Sequence, residues 1–270
     1  MNNPRDTVRQ VVVLATALFA IIAAFIGSGA AGGTPIAQAA GGALAADATR
    51  IAPGGPAFAI WTPIYIGLLA YAAWQSFPNQ QTDQRQRTLG YPIAASLVLN
   101  GAWILSIQFG LLALSVPVIA ALLAVLVWVF RLTLSSPPKN TVELIVVDAT
   151  VGLYLGWVCV ATAANVTAWL VEAGFRGFGV NPDAWSVAIV AIAAAVGVLI
   201  ALRGRGRIAP ALSLSWGLAW IASARLTGDL VSTPTAIAAI AAAALIVAST
   251  ALVRIRTHSR PRRAAKVAMA

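Results

Sequence analysis

Apolar residues run along the chain in blocks of about 20, the length that carries a helix across roughly 30 Å of hydrocarbon. Eight such blocks can be drawn, at about 10–28, 57–77, 89–109, 114–134, 144–171, 184–202, 208–225 and 235–253. Short polar or Gly/Pro-rich stretches separate them. The pattern predicts an all-α protein, a polytopic transmembrane helical bundle of about eight spans. Within the fifth block, Leu153–Trp169, polar-tipped residues interrupt the apolar run. At about 100° per residue, Tyr154, Trp157, Ala161 and Asn165 fall within roughly an 80° arc of one face. That face offers two amphipathic rings, one small gap and one amide.

Two other blocks carry similar faces. In the second, Phe58, Trp61 and Tyr65 are spaced i, i+3, i+7, with Pro63 close to the helix start, where it removes a backbone donor. In the third, Ser96, Asn100 and Trp103 share a face. Trp and Tyr also gather at membrane interfaces as anchors, which accounts for Trp74, Trp128, Trp169 and Trp185. An Asn in a span can serve as inter-helix glue contributing about 0.6–2 kcal/mol. Depth separates the readings. At about 1.5 Å rise per residue, the three faces overlap in depth, where anchors would sit at the two interfaces. A pocket with aromatic walls and a few hydrogen-bonding groups explains that overlap.

Composition fits a membrane protein: 60% of residues are hydrophobic and 10% charged, against about 25% charged in soluble domains. The net charge of +10 invites a nucleic-acid reading, but six of the 18 Lys/Arg lie between Arg254 and Lys266, and the rest sit singly or in small groups between apolar blocks. Topology signals and lipid headgroups explain that placement, and nucleic acid is not an expected partner. With the N-terminus cytoplasmic, the inside segments hold Arg5, Arg9, Arg85, Arg87, Arg131, Lys139, Arg203, Arg205, Arg207 and the six of the tail. The outside loops hold only Arg50, Arg176 and Arg225. This asymmetry supports a multi-pass cell-membrane protein with both termini cytoplasmic. With one cysteine, Cys159, and one histidine, His258, a His/Cys metal site is not expected. No Ser/His/Asp set and no phosphate-binding Gly loop is present, so the chain reads as no ordinary enzyme.

The three faces together resemble the TspO/translocator-protein family, also called tryptophan-rich sensory proteins or peripheral benzodiazepine receptor homologues. Its pattern W-T-x-x-Y in the second helix is matched by Trp61-Thr62-Pro63-Ile64-Tyr65. L-x-L-N-x-x-W in the third is matched by Leu97 through Asn100 to Trp103. In the fifth, P-Y-x-x-W-x-x-x-A-x-x-x-N is matched from Tyr154 to Asn165, with Leu153 where the family has Pro. Phe58 precedes Trp61 by three residues, where short members tend to have four. The resemblance covers about residues 10–172, and the three further helices look like those of longer bacterial members. It implies a five-helix bundle with a ligand pocket capped by the loop after helix 1, and members that are often homodimers. Family ligands are porphyrins such as haem and protoporphyrin, sterols and aromatic drugs, bound as ligands rather than as a required cofactor. By matching positions, Trp61, Tyr65, Asn100, Trp103, Tyr154, Trp157, Ala161 and Asn165 would line or support that pocket, with Phe58 beside them.

The expected organisation is a core over 1–172 with an outside loop at 30–55, three more helices over 173–253, and a basic cytoplasmic tail over 254–270, disordered and facing lipid headgroups. The 30–55 loop is either a mobile connector or a lid over the outer mouth of the bundle. Arg5 and Arg9 ahead of Val11–Ile26, with Ala37-Gln38-Ala39 beyond, also resemble a secretory signal, although the run is long for one. Asp148 lies about one turn into the fifth helix. It suits either a proton or ion role or the helix dipole. Arg225 and Asp229 read as an interfacial pair. Ser213, Ser215, Trp216 and Trp220 form either a second polar face or core packing. Two function classes compete with ligand sensing, carriage or regulation: a small-solute transporter or channel using Asp148, and a structural or partner-regulating membrane subunit.

Overall fold

The computed structural model describes residues 4–267, with side chains from 260 onward, and that of His258, lying outside it. Eight long helices carry the chain: α1 (Pro4–Gly27), α2 (Trp61–Trp74), α3 (Gln84–Gln108), α4 (Leu112–Ser135), α5 (Thr141–Glu172), α6 (Pro182–Arg203), α7 (Ile208–Thr227) and α8 (Thr233–Val267). A 3₁₀ turn, Gly55–Ile60, leads into α2, and no strand occurs among the described residues. Seven of these helices, α2 taken together with the Gly55–Ile60 turn, are long and apolar enough to cross a membrane. The exception is α7, whose Pro210, serines and Arg225 dilute its apolar content. It can carry them because half of its 20 residues are buried against neighbouring helices.

Local chemistry sets the helix ends. Asp83 caps α3, accepting from the amides of Arg85 at 2.8 Å and Gln86 at 3.1 Å. Burial pushes the Asp83 carboxyl up, but hydrogen bonds from Lys139 and those two amides outweigh it and hold the group below the usual range. Asn140 caps α5 through the Glu143 amide at 2.8 Å. Gly110, at φ 72°, turns the chain between α3 and α4 in a conformation that a side chain would strain. Pro63 falls in the first turn of α2, where its missing N–H breaks no bond of the helix.

In packing order, α2, α1, α3, α4 and α5 close a five-helix ring. The other three form a second unit: α7 lies along α5, and α8 packs on both α7 and α6. Two buried apolar cores result. One is drawn from α1–α5, and the other from α6–α8 with Val160 of α5 and Ile51 of the first loop. Outward faces stay apolar, as on α1, where Val11, Ile22 and Phe25 are exposed, so the protein is an integral membrane protein. Small residues let the helices close up. Gly152 and Gly156 of α5 receive Pro210 of α7, and Gly217 of α7 receives Val160.

Three expectations change. Helix α8 does not end near 253 but runs on through the basic segment to Val267, so as far as it is described that segment is helical; residues 268–270 lie outside the described residues. The loop after α1 is folded rather than loose, with Ala39, Ile51 and Ala52 buried. Arg225 does not pair with Asp229. It is buried and donates to the backbone carbonyls of Thr49, at 3.1 Å, and Ala46.

Candidate functional site

The aromatic face of α5 meets α2 and α3 inside the ring, roofed by the loop after α1. Trp61 and Tyr65, one turn apart on α2, stack with centroids 5.1 Å apart and 18° between their planes. Trp61 meets Tyr154 edge-on at 5.8 Å and Trp157 at 6.3 Å. Phe58, in the 3₁₀ turn rather than on α2 itself, meets Trp157 at 5.7 Å and 74°. Stacked and edge-to-face pairs of this kind satisfy the ring quadrupoles and fix the ring orientations.

The amides are placed by hydrogen bonds. Asn100 of α3 donates through Nδ2 to the Tyr65 hydroxyl at 2.8 Å. The Trp103 indole donates to Asn165 Oδ1 at 3.1 Å, and Asn165 Nδ2 donates to Ser115 Oγ at 2.8 Å. Ser115 in turn donates to the Leu112 carbonyl at 2.6 Å, and the Tyr154 hydroxyl to the Ser96 carbonyl at 3.2 Å. Asn165 is therefore committed to joining α3, α4 and α5. Two buried polar atoms of the cluster have no protein partner: the indole N–H of Trp157 and the Oδ1 of Asn100. Leaving such groups unpaired costs about 1–3 kcal/mol each.

Ala161 faces a small cavity of about 30 Å³ bounded by Phe58, Trp103, Trp157 and Asn165 and roofed by loop residues from Ala43 to Pro53. That is room for a water molecule. All nine residues singled out from the sequence thus lie in one aromatic cluster and its supports: Phe58, Trp61, Tyr65, Asn100, Trp103, Tyr154, Trp157, Ala161 and Asn165.

Sequence reasoning left out Ser115 and did not assign Trp216, Trp220, Arg225 or Arg50 to the roof. The Trp216 indole of α7 donates to the Ala57 carbonyl at 2.9 Å, and the Gly54 amide to the Trp220 carbonyl at 3.2 Å. Arg225 grips the loop further along, and Arg50 pairs with Asp183 of α6 at 2.6 Å. Trp216, Trp220 and Arg225 of α7 thus hold the loop, whereas Ser215 donates to the Ala243 carbonyl of α8 at 3.5 Å and the Ser213 hydroxyl is buried without a partner. No local signal could have shown the ties to the loop, because each joins segments more than 130 residues apart.

Asp148 lies at the far end of the bundle from the loop. The first turns of α5 widen into a π-helical segment, Leu144–Ala149, a geometry frequent at functional sites. There Asp148 accepts from Arg85 at 2.7 Å and lies 2.8 Å from Arg207 Nη1 without hydrogen-bond alignment. Arg85 also reaches Glu143 at 3.0 Å, and Arg207 binds Thr133 of α4 through its hydroxyl at 2.7 Å and its carbonyl at 2.9 Å. This cluster ties α3, α4 and α5 to the start of α7. Among the described residues no group of His, Cys, Asp and Glu is placed to hold a metal.

Comparison with known proteins adds one positive finding. Searches of curated proteins and of solved structures gave no match. The sequence model of a family described as TSPO-like protein matches residues 12–252. That span takes in α6–α8 as well as the five-helix ring. With nearly the whole helical chain matched, the protein belongs to the TSPO-like family.

Proposed function

We propose that the protein binds a flat, largely apolar ligand of the porphyrin or sterol-like class between the aromatic wall of α2 and α5 and the loop over it, acting as a sensor, carrier or regulator. The observation carrying this reading is the closed cluster of five rings with two unpaired buried polar atoms. Ring faces supply stacking surface for a planar molecule. The Trp157 N–H and Asn100 Oδ1 supply one donor and one acceptor for its polar groups. Those two atoms gain partners when a ligand arrives, which makes binding selective for molecules with matching polar groups.

With both termini on the cytoplasmic side, as the Lys/Arg distribution favours, the loop faces outward and the ligand comes from that side or from the membrane. At about 30 Å³ the cavity has room for a water molecule and not for a tetrapyrrole, so binding requires residues 43–53 to lift and the rings to part. The ties from α6 and α7 to the loop would set how readily this happens. Ligand binding, rather than catalysis, is the role that these residue types support.

Substituting Ala161→Leu tests the site by filling it. Overpacking of this kind costs about 1–3 kcal/mol, or roughly five- to 150-fold in Kd. Protoporphyrin added to purified protein and followed by its absorbance should bind the variant more weakly by about that factor, measured well below the variant's thermal midpoint so that it is folded throughout. Unaltered affinity would place the ligand elsewhere.

A further inference from the structure

A much larger space lies outside the aromatic cluster. Helix α6 touches α5 only sparsely, and a wedge of about 850 Å³ opens between them. Its walls are Ala163, Val166 and Leu170 of α5 and Ile189, Ala193 and Val196 of α6. Two hydroxyls along the walls are spent on their own helices, Thr162 donating to the Val158 carbonyl at 2.7 Å and Ser186 to the Pro182 carbonyl at 2.8 Å, while Thr49 stands at the loop end. The interior of the wedge between α5 and α6 is therefore mainly apolar.

Its two ends differ. The deep end stops at Cys159 on α5 and Val196 on α6. The mouth carries Arg50 and Arg176. Arg176 is exposed and makes no ion pair among the described residues. Beside it, Phe175 packs edge-on against Phe178 at 5.1 Å and Trp185 at 5.8 Å, and the Trp185 indole donates to the Gly177 carbonyl at 3.0 Å. Such an aromatic cluster with an adjacent cation marks headgroup depth. From Leu170 to Cys159, at about 1.5 Å per residue, the wedge runs roughly 16 Å, or half of the ~30 Å hydrocarbon thickness. Length, polarity and charge fit one leaflet lipid, with its acyl chain between the helices and its phosphate at the mouth.

We infer that the α5–α6 wedge is a binding site for an anionic phospholipid, its phosphate paired with Arg176 and its acyl chain lying along Ala163 and Ala193. A lipid there fills the gap between the five-helix ring and the second unit, and also contacts Thr49 and Arg50 of the loop. The site lies outside the aromatic cluster, shares Thr49 of the loop with the small cavity beside it, and its assignment does not depend on what that cluster binds.

The test uses the full chain, purified and delipidated in detergent, with phosphatidylglycerol, phosphatidylcholine or glycerol phosphate added. Retained lipid is read by native mass spectrometry, and the thermal midpoint is read in parallel. Phosphatidylglycerol should be retained and should raise the midpoint, with phosphatidylcholine weaker by about fivefold or more. Arg176→Gln should remove that preference, and Ala193→Phe, which fills the wedge, should lower retention of both lipids while leaving the lipid-free midpoint near that of wild type. Equal retention of the two lipids by wild type, or retention unchanged in both variants, overturns the assignment. So does stabilisation by glycerol phosphate equal to that by the lipid. If Ala193→Phe lowers the lipid-free midpoint, Arg176→Gln alone decides: loss of preference supports the site, and persistence of preference refutes it.

Discussion

Replacing Asp148 by alanine should destabilise the protein by about 3–5 kcal/mol, the cost of removing one member of a buried ion cluster and stranding its partners. The Asp148 side chain is 2% exposed and sits between Arg85 and Arg207. Without it Arg85 keeps Glu143, but Arg207 loses the one carboxylate it pairs with among the described residues. Asp148→Asn removes the charge at nearly constant volume and should move stability in the same direction. Thermal unfolding in detergent reads the effect as a clear drop in midpoint for both variants. A wild-type midpoint in both would mean that the cluster does not tie α7 to the ring, and would return Asp148 to the role of an ion or proton carrier.

Gly156→Leu should have a comparable effect for a different reason. A Cβ at this position would stand 2.2 Å from the Pro210 carbonyl oxygen, 3.0 Å from its carbonyl carbon and 3.1 Å from the Leu214 nitrogen. These are backbone atoms of α7, so no side chain can swing aside. Overpacking ordinarily costs about 1–3 kcal/mol and more where a helix must move. Because α7 also holds the loop through Trp216, Trp220 and Arg225, forcing it off α5 should loosen the roof as well. Limited proteolysis should then cut within 28–54 faster than in wild type, along with a lower thermal midpoint. A variant that melts lower with its loop still protected would show that the loop is held independently of the α5–α7 seam.

Much of this architecture is legible along the chain because lipid imposes it. A span must be apolar for about 20 residues, and cations collect at the ends of spans, so apolar blocks separated by arginines map almost directly onto helices. The site faces are legible for a similar reason. Tyr154, Trp157 and Asn165 are costly in a span unless they face other helices, so their spacing on α5 points inward. What the chain hides is long-range partnership. Asn165 has the residue type of a ligand contact, yet its amide is used up by Trp103 and Ser115. Arg225 lies four residues from Asp229, a spacing that suggests a pair on one helix face. Its actual partners are carbonyls about 176 residues away. The π-helical segment around Asp148 and the α5–α6 wedge likewise arise from how distant helices settle together, which no local period encodes.

The central claim concerns the aromatic wall, and protoporphyrin titration with tryptophan fluorescence tests it most directly. Wild type, Trp157→Ala and Asn100→Ala would be compared as purified protein at matched concentration. The account predicts saturable quenching in wild type and affinity weakened by about tenfold or more in each variant, since each loses an otherwise unpaired polar atom together with its packing. Quenching that is absent in wild type, or that saturates at the same concentration in all three proteins, would contradict it.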